Sequence, residues 1–479
     1  MNASMSYDVA IVGGGPAGMA AAERTIGAGL STCLIDEQPR LGGQILRQPP
    51  PGFAVTGWQS GRLYRAARAL LARVERLDAF DFRAGHAVLG VGAGHAEEGG
   101  FALSVQPLAT GGVERIDARR VIVAGGCYDM PVAFPGWTLP GVMSAGAVQT
   151  LLKSPQVLPG GRIALFGTHP LMIVLAEQIL AAGGEVAGVH FAQPRRAMLA
   201  ALGPRLPGVL RAWRPLLEGA RGLANLRQAG VPVHFGSAIV RAEGGDALEA
   251  ITLLRAGGRE RVACDVAAMC YGFLPQSDLV RQVGAAVRWA PGPGGWETLC
   301  DEGMRSSLPG LYVAGETAGV AGSDVAMLRG ALAGVTLACD AGALDEVEGA
   351  RVAAALRARI ARLAPFTAML RELADPQAYL PEPELETLVC RCEDVSARAL
   401  DAAIAACAEG DDGFGASAVK LRCRAGMGLC QGRSCEHAVI RRIARASGRE
   451  AAQVAGFTAR FPARAVPIAE LLERDAPAR

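Results

Sequence analysis

Four cysteines near the C-terminus come as two close pairs, Cys390-Arg391-Cys392 and Cys430 with Cys435, with 37 residues between the pairs. Thiolates grouped by twos on tight turns suit a metal centre, because each pair offers two soft sulfur ligands to one ion or cluster. Gly426, Gly428 and Gly432, beside the second pair, allow a backbone that approaches inorganic sulfide closely and donates N–H bonds to it. Asp394 and Ser396 read as helix starts after the first pair, and Ser434 as one at the second. That sets Cys392 and Cys435 near positive helix ends, which favour thiolate over thiol. The expected ligands are therefore Cys390, Cys392, Cys430 and Cys435. A structural zinc fits the same spacing, inert buried thiols are a third reading, and Cys423, seven residues before Cys430, is a fifth candidate ligand.

A second constellation opens the chain. Tyr7-Asp-Val-Ala-Ile-Val12 has strand character and runs into Gly13-Gly14-Gly15-Pro16-Ala17-Gly18, followed by an Ala-rich helix to about Gly27. A second apolar run, Thr32–Ile35, ends in Asp36. This is a glycine triplet in its required setting, with a strand before it, a helix after it and an acid eighteen residues beyond Gly18. Gly13 permits the tight turn, Gly15 lets the backbone approach a pyrophosphate, and Gly18 lets helix and strand pack closely. Pro16 and Ala17 begin the helix whose N-terminus faces the phosphates. Asp36 is placed to accept from a ribose diol, with Glu37 as its near alternative. Gly42-Gly43-Gln44 makes a further close backbone approach, with Arg47 just after it. Later, Gly310–Gly315 reads as a strand ending in Glu316, followed by a helix from Ser323. That helix N-terminus can stabilise charge at the pyrimidine end of a flavin.

The elements that must position these residues form more than one core, since 479 residues imply two to four domains. A hydrophobic share of 51% with 20% charged residues reads as globular and soluble, and the 62 glycines suit many strand-to-helix turns. A net charge of +2 points to neither nucleic acid nor a membrane surface. No run reaches the eighteen or so apolar residues of a membrane span. The N-terminus runs straight into a strand without a leader pattern, so the expected compartment is the cytoplasm, where paired thiols bind metal more often than they form disulfides.

Residues 161–190 repeat the nucleotide pattern imperfectly. Strand Arg162–Phe166 leads into Gly167-Thr168-His169-Pro170-Leu171-Met172 and a helix to Ala182. Only the first glycine survives. His169 stands where a side chain crowds a pyrophosphate, and Met172 where helix and strand should pack closely. Ordinary NAD(P)H binding is not expected there. Between the domains, Met130–Met143 is a proline-rich crossover and Cys270–Pro275 leads back.

With Gly315-Glu316 as an acid pair for a ribityl chain and Val121–Ala124-Gly125-Gly126 close to an A-T-G strand, the chain resembles the two-dinucleotide-domain flavoproteins of glutathione-reductase and thioredoxin-reductase type. The redox dithiols of those reductases are missing. No cysteine follows Gly43-Gln44, and no C-x-x-C lies between 127 and 300. Cys33, Cys127, Cys264, Cys270, Cys300, Cys339 and Cys407 are therefore read as small buried hydrophobes. The run Val389–Val395 with Arg424–Cys435 resembles the [2Fe-2S] domain of bacterioferritin-associated ferredoxin type. The combination, with Leu139–Met143 and the Phe461–Pro467 tail, resembles the alpha (A) subunits of heteromeric bacterial amine-oxidising dehydrogenases: opine oxidase, D-hydroxyproline and proline dehydrogenase, and hydrogen cyanide synthase types.

The resemblance implies an α/β flavoprotein fold with two dinucleotide-binding domains and a small α-rich [2Fe-2S] domain. The expected divisions are an FAD domain from 1–130 and 290–345, an inserted degenerate pyridine-nucleotide domain from 131–289, a helical linker over 346–384, and the cluster domain with its tail over 385–479. FAD would be held by Gly13, Gly15, Pro16, Ala17, Gly18, Asp36, Glu37, Gly43, Gln44, Arg47, Ala124, Gly125, Gly315 and Glu316, with ATP or ADP as the alternative occupant. FMN at a subunit interface is also implied. The implied partners are a beta subunit of D-amino-acid-oxidase type, which oxidises the C–N bond, and a small ferredoxin-like gamma subunit. Electrons then leave to an acceptor other than NAD, one that can be membrane-linked. Consistent with this division, no pocket His/Tyr/Arg constellation for amino-acid oxidation stands out in the chain itself. Two other readings fit parts of the sequence: a self-sufficient NAD(P)H-dependent reductase, and a non-catalytic scaffold.

Overall fold

The computed structural model describes residues 5–55, 59, 61, 64–77, 80–94, 100–202, 213–410 and 413–471. Residues 1–4 and 472–479, assigned above to the first and last domains, lie outside the described residues.

The first sheet is built around Met5–Val12, whose residues Val9–Val12 are buried on both faces as a parallel sheet requires. It pairs in parallel with Thr32–Asp36 on one side and with Glu114–Val123 on the other. Asp81–Ala84 extends the sheet in parallel beyond Thr32–Asp36. The strand Glu114–Val123 serves two partners in succession. Residues 114–118 pair antiparallel with Phe101–Pro107, whereas 121–123 pair in parallel with the distant strand Leu311–Val313. A chain segment nearly two hundred residues later is thereby returned to the sheet beside the glycine turn, which is how Gly315 and Glu316 come to share a site with Gly13.

Two helices cover this sheet, Pro16–Gly27 and Ser323–Asp340. Their axes come unusually close because Gly330 and Gly334 carry no side chains. A Cβ on Gly330 would lie 2.0 Å from the Ala17 carbonyl oxygen, and one on Gly334 would lie 2.7 Å from that of Ala21. The helix Glu346–Leu373 follows, started by Asp345, whose carboxylate accepts from the Val347 and Glu348 amides.

The second sheet is wholly parallel, in the order Val233–Phe235, Glu185–Phe191, Arg162–Gly167, Val266–Cys270, Val142–Ser144. A three-stranded antiparallel sheet, Ala238–Glu243, Ala250–Arg255 and Gly258–Ala263, packs beside it. Its helix Leu171–Ala181 begins one turn after the strand Arg162–Gly167, as in a dinucleotide unit. The outgoing and returning crossovers pair with each other, Cys127–Asp129 against Phe273–Pro275.

The C-terminal unit has its own core. Helices Ala397–Ala408, Ala416–Cys423 and Glu436–Ser447 bury Leu400, Ile404, Val419, Ile440 and Ile443 together. A short hairpin, Leu388–Cys390 against Val395–Ser396, carries the first cysteine pair. Trp137 in the proline-rich crossover donates from its indole N–H to the Leu388 carbonyl at 2.6 Å, which ties that hairpin to the second domain.

The helix contact at Gly330 gives a direct test of the packing. Gly330→Val forces a branched side chain into backbone and should cost about 2–3 kcal/mol, read as a lowered urea midpoint.

Candidate functional site

The first glycine turn is made of backbone pressed on backbone. Gly13 has φ +107°, and a Cβ there would lie 2.4 Å from the Ala124 carbonyl oxygen. A Cβ on Gly18 would lie 1.8 Å from the Gly13 oxygen. Gly43, at φ +57°, faces Gly15 so closely that its Cβ would come within 2.7 Å of the Gly15 Cα. Gly13–Gly18, Gly42–Gln44, Ala124–Gly126 and Gly315–Glu316 thus gather beyond the carboxyl ends of the strands, where ligands of open α/β sheets bind. The helix Pro16–Gly27 starts there with Pro16 at its first position and Gly15 as cap, and no side chain covers its first amides. Those amides remain available for an anion.

The acids at this end have clear positions. Asp36 accepts from the Gly14 amide at 2.5 Å and from the Gln38 amide at 2.7 Å, so its carboxylate braces the back of the turn. Burial raises its pKa, and the two amides oppose that shift. Glu37 is exposed and lies 3.5 Å from Arg464. Arg47 bonds to Gln38 at 2.7 Å and Gln44 at 2.9 Å. Glu316 sits in the 3₁₀ turn Gly315–Ala318, accepting from the Gly322 amide at 3.2 Å and from the Cys127 thiol at 2.8 Å. Cys127 is therefore not the inert hydrophobe expected from the sequence. It faces a candidate site acid, and burial together with Glu316 keeps it protonated. Cys300 is exposed, again unlike the expectation, whereas Cys33, Cys264, Cys270 and Cys407 are buried in accord with it.

Lys153 carries no sequence signal, yet it is almost completely buried at the end of the helix Ala145–Lys153. Its Nζ donates to the carbonyls of Gln44 and Ile45, each at 3.1 Å, and lies 5.5 Å from the centre of the Tyr64 ring. It therefore pins the second domain to the Gly43-Gln44 loop. Burial, and then the charge of Arg47, pull its pKa down to about 7. A neutral amine still has the two N–H groups that the two carbonyls need.

In the second domain, the turn after Arg162–Gly167 is closed by the chain itself. The Thr168 hydroxyl donates to the Ala374 carbonyl at 2.8 Å. The Gln193 amide donates to the Leu373 carbonyl at 2.6 Å and to that of Thr168 at 2.7 Å. Leu373 and Ala374 are the C-terminal end of the helix Glu346–Leu373. The negative end of a helix dipole therefore lies against this turn, where it disfavours an anion. His169 packs edge-on against Phe273 with ring centres 5.0 Å apart, and its Nδ1 accepts from the Leu171 amide. Burial pulls its pKa down to about 4, so the ring is neutral. A cavity of about 130 Å³ remains between His169, Phe273, Glu316, Val320, Leu370 and Arg371.

The four cysteines meet in the C-terminal unit, in crossed pairs. Cys390 has Cys435 as its neighbour, and Cys392 has Cys430. The Cys435 contact and the amides of Gly426, Glu393 and Cys392 bring the Cys390 thiol down to about 6 against the effect of burial. The Cys435 thiol is pushed up in return by Cys390 and by burial. Cys390 and Cys435 are buried, Cys430 is half-buried and Cys392 is exposed. Among the described residues, no group of three or more His, Cys, Asp or Glu is arranged to hold a metal ion. Cys423 instead donates to the Val419 carbonyl within its own helix.

The glycines here have a further role. Gly426 and Gly432, both at φ +88°, pack so tightly on the Phe457 ring that a Cβ would come within 2.5 and 2.6 Å of it. Gly428 approaches Cys392 as closely, at 2.4 Å. Of the expected helix starts, Ser396 caps Ala397–Ala408 through the Ala399 amide. Asp394 lies in the hairpin turn at φ +50°, and Cys435 rather than Ser434 precedes the helix Glu436–Ser447.

Comparison with known proteins fits this geometry. Residues 7–342 match the family model described as pyridine nucleotide-disulphide oxidoreductase. The A subunit of opine oxidase from Rhizobium meliloti is 32% identical over 476 residues, covering 99% of this chain and 88% of that protein. The HcnB subunit of hydrogen cyanide synthase from Pseudomonas aeruginosa is 32% identical over 484 residues, covering 97% of this chain and 98% of that one. This chain belongs to their family. It is an oxidoreductase. A crystal structure of L-proline dehydrogenase from P. horikoshii shares the fold, with a TM-score of 0.69 at 21% identity over 98% of this chain and 80% of that one. The two-dinucleotide-domain flavoprotein fold expected from the sequence is therefore correct. Among the described residues, no helix is long and apolar enough to cross a membrane.

The geometry of the two turns has two outcomes. Titration with NADH or NADPH should show no saturable binding and no anaerobic bleaching of bound flavin; micromolar binding would contradict the closed second turn. Lys153 titrates near 7 when folded and near 10.4 when unfolded. Between those values only the unfolded chain takes the proton, so stability should rise with pH across that window by on the order of 4 kcal/mol. Urea unfolding of Lys153→Met should show a flatter dependence over the same range.

Proposed function

We propose that this chain is the nucleotide-binding, electron-transfer subunit of a multi-subunit flavin-dependent dehydrogenase. The complex would oxidise the C–N bond of an amino acid or opine of D-hydroxyproline, opine or proline type, and pass electrons to an acceptor other than NAD. The observation that carries this is the second nucleotide turn. It is closed by the Leu373 and Ala374 carbonyls, in a chain whose other redox-competent group is the cysteine quartet. A reductase fed by nicotinamide needs that turn open.

The residues at the first site suit FAD: a side-chain-free turn, uncovered helix amides at Ala17 and Gly18, and Glu316 beside a cavity at the far end. FAD would supply two-electron chemistry there. Gly13, Gly15, Gly18 and Gly43 would hold the pyrophosphate, and Glu316 the ribityl chain once Cys127 yields its bond. ADP or ATP fits the pyrophosphate half alone. Asp36 and Glu37 remain the candidates for the ribose. Asp36 would reach it through a carboxylate already holding two amides.

The cysteines suit a [2Fe-2S] cluster better than one ion. Their sulfurs approach two by two, Cys390 with Cys435 and Cys392 with Cys430, and a two-iron cluster takes two thiolates on each iron. The bound cluster would supply one-electron transfer. In this reading, the divisions are 1–130 with 290–345 for FAD, 131–289 for the closed domain, and 385–479 for the cluster, with cytoplasmic placement. The amine would be oxidised on a beta subunit of D-amino-acid-oxidase type, with FMN at the interface and a small gamma subunit completing the complex.

Co-purification with the beta subunit and a screen of opines, D-hydroxyproline, proline and glycine against an artificial dye tests this reading. Dye reduction with one of these amines is expected, falling by roughly tenfold or more in an assembled Cys430→Ser complex. Full dye reduction by that variant would leave the cysteines a scaffold role.

A further inference from the structure

Beside the quartet lies a buried ion pair that neither the motifs nor the family match assigns. Glu436 follows Cys435 directly and opens the helix Glu436–Ser447. Arg281, from the short helix Asp278–Gln282, meets it with two bonds, Nη2 to Oε1 at 2.9 Å and Nη1 to Oε2 at 3.2 Å. Both side chains are nearly buried, at 12% and 14% exposure. The Phe457 amide donates to the same carboxylate at 2.7 Å, and the Trp296 indole N–H does so at 3.3 Å. The Arg281 guanidinium also lies over the Trp296 ring, 5.4 Å from its centre.

The pair is joined to the cavity by aromatic packing. Trp296 and Trp289 face each other across an antiparallel ladder, with ring centres 5.2 Å apart at 78°. Gly294, in the cavity wall, lies so close to Trp289 that a Cβ would come within 2.5 Å of its ring. Along the strand Trp296–Thr298 successive side chains alternate faces. Trp296 turns to Glu436 and Glu297 lines the cavity. A continuous packed path therefore runs from the cavity wall through Trp289, Trp296 and Glu436 to Cys435.

We propose that Arg281, Glu436 and Trp296 form a positioning junction, which sets the charge felt by the cysteine centre and seats its buried side against the flavin-side cavity. This rests on the iron–sulfur reading above. The physical reason is that reduction adds an electron to the centre, so a fixed negative charge in low dielectric beside one ligand opposes reduction, and a fixed positive charge favours it. Arg281 and Glu436 balance each other at Cys435. Removing either partner therefore shifts the potential in opposite directions, an outcome that loss of packing alone does not give.

The test is a redox titration of the purified full chain, followed by EPR, with iron and acid-labile sulfide measured on each sample. Glu436→Gln keeps the oxygen that accepts from Trp296 and Phe457, and should raise the midpoint potential. Arg281→Gln should lower it, and Arg281→Lys should return it towards the parent value. Should Arg281→Gln not fold, the other two variants still decide the matter. Loaded centres whose potentials do not move, or move in the same direction, overturn the junction. A parent chain that binds no iron and sulfide overturns the iron–sulfur reading, and the junction falls with it.

Discussion

The nucleotide half of this molecule depends on places where two backbones touch and no side chain fits. Gly18 lies against the Gly13 carbonyl, Gly13 against Ala124, and Gly330 against Ala17. These contacts bring the first helix, the late helix Ser323–Asp340 and the ends of three strands to one point. Nothing larger than glycine satisfies them, because a Cβ there would overlap a carbonyl oxygen. The open helix amides and Glu316 are consequences of that closeness. The same contacts draw segments from residues 5–36, 114–126 and 311–340 into one unit around the inserted second sheet.

The second sheet repeats the architecture under a different constraint. Its turn keeps only Gly167, and the space that further glycines would leave open is taken by Thr168, His169 and the last carbonyls of a helix from elsewhere. Donors that could cradle phosphate are used on the chain's own carbonyls. The domain has become one wall of the cavity it shares with the first domain. The flavin-type site and the cysteine quartet lie in separate parts of the chain. These are held together by Arg281–Glu436, Arg433–Asp278 and the Trp137–Leu388 bond.

Much of this could be read from the chain, and the reasons differ by element. The first glycine turn was legible because each glycine answers a backbone requirement at fixed spacing. The four cysteines were legible as a group, but their pairing was not. Adjacency in sequence joins Cys390 to Cys392, whereas the fold joins Cys390 to Cys435. His169 and Met172 showed that the second turn was damaged. What fills it was hidden, because Leu373 and Ala374 lie some two hundred residues away and carry the closure on main-chain oxygens. Lys153 and Arg281 were invisible for a similar reason: a long cationic side chain is ordinarily solvated, and only tertiary burial makes these two matter. The acid position of Asp36 was legible from its spacing, but not that its carboxylate braces the turn through the Gly14 and Gln38 amides.

In the reading proposed above, the four cysteines hold a two-iron cluster that is the electron connection of the chain. Anaerobic purification of the full chain, with iron, zinc and acid-labile sulfide assayed and EPR recorded after dithionite reduction, tests it most directly. Iron and sulfide in equal amounts and a rhombic signal that appears only on reduction are expected. Stoichiometric zinc without iron, and no signal, would contradict it.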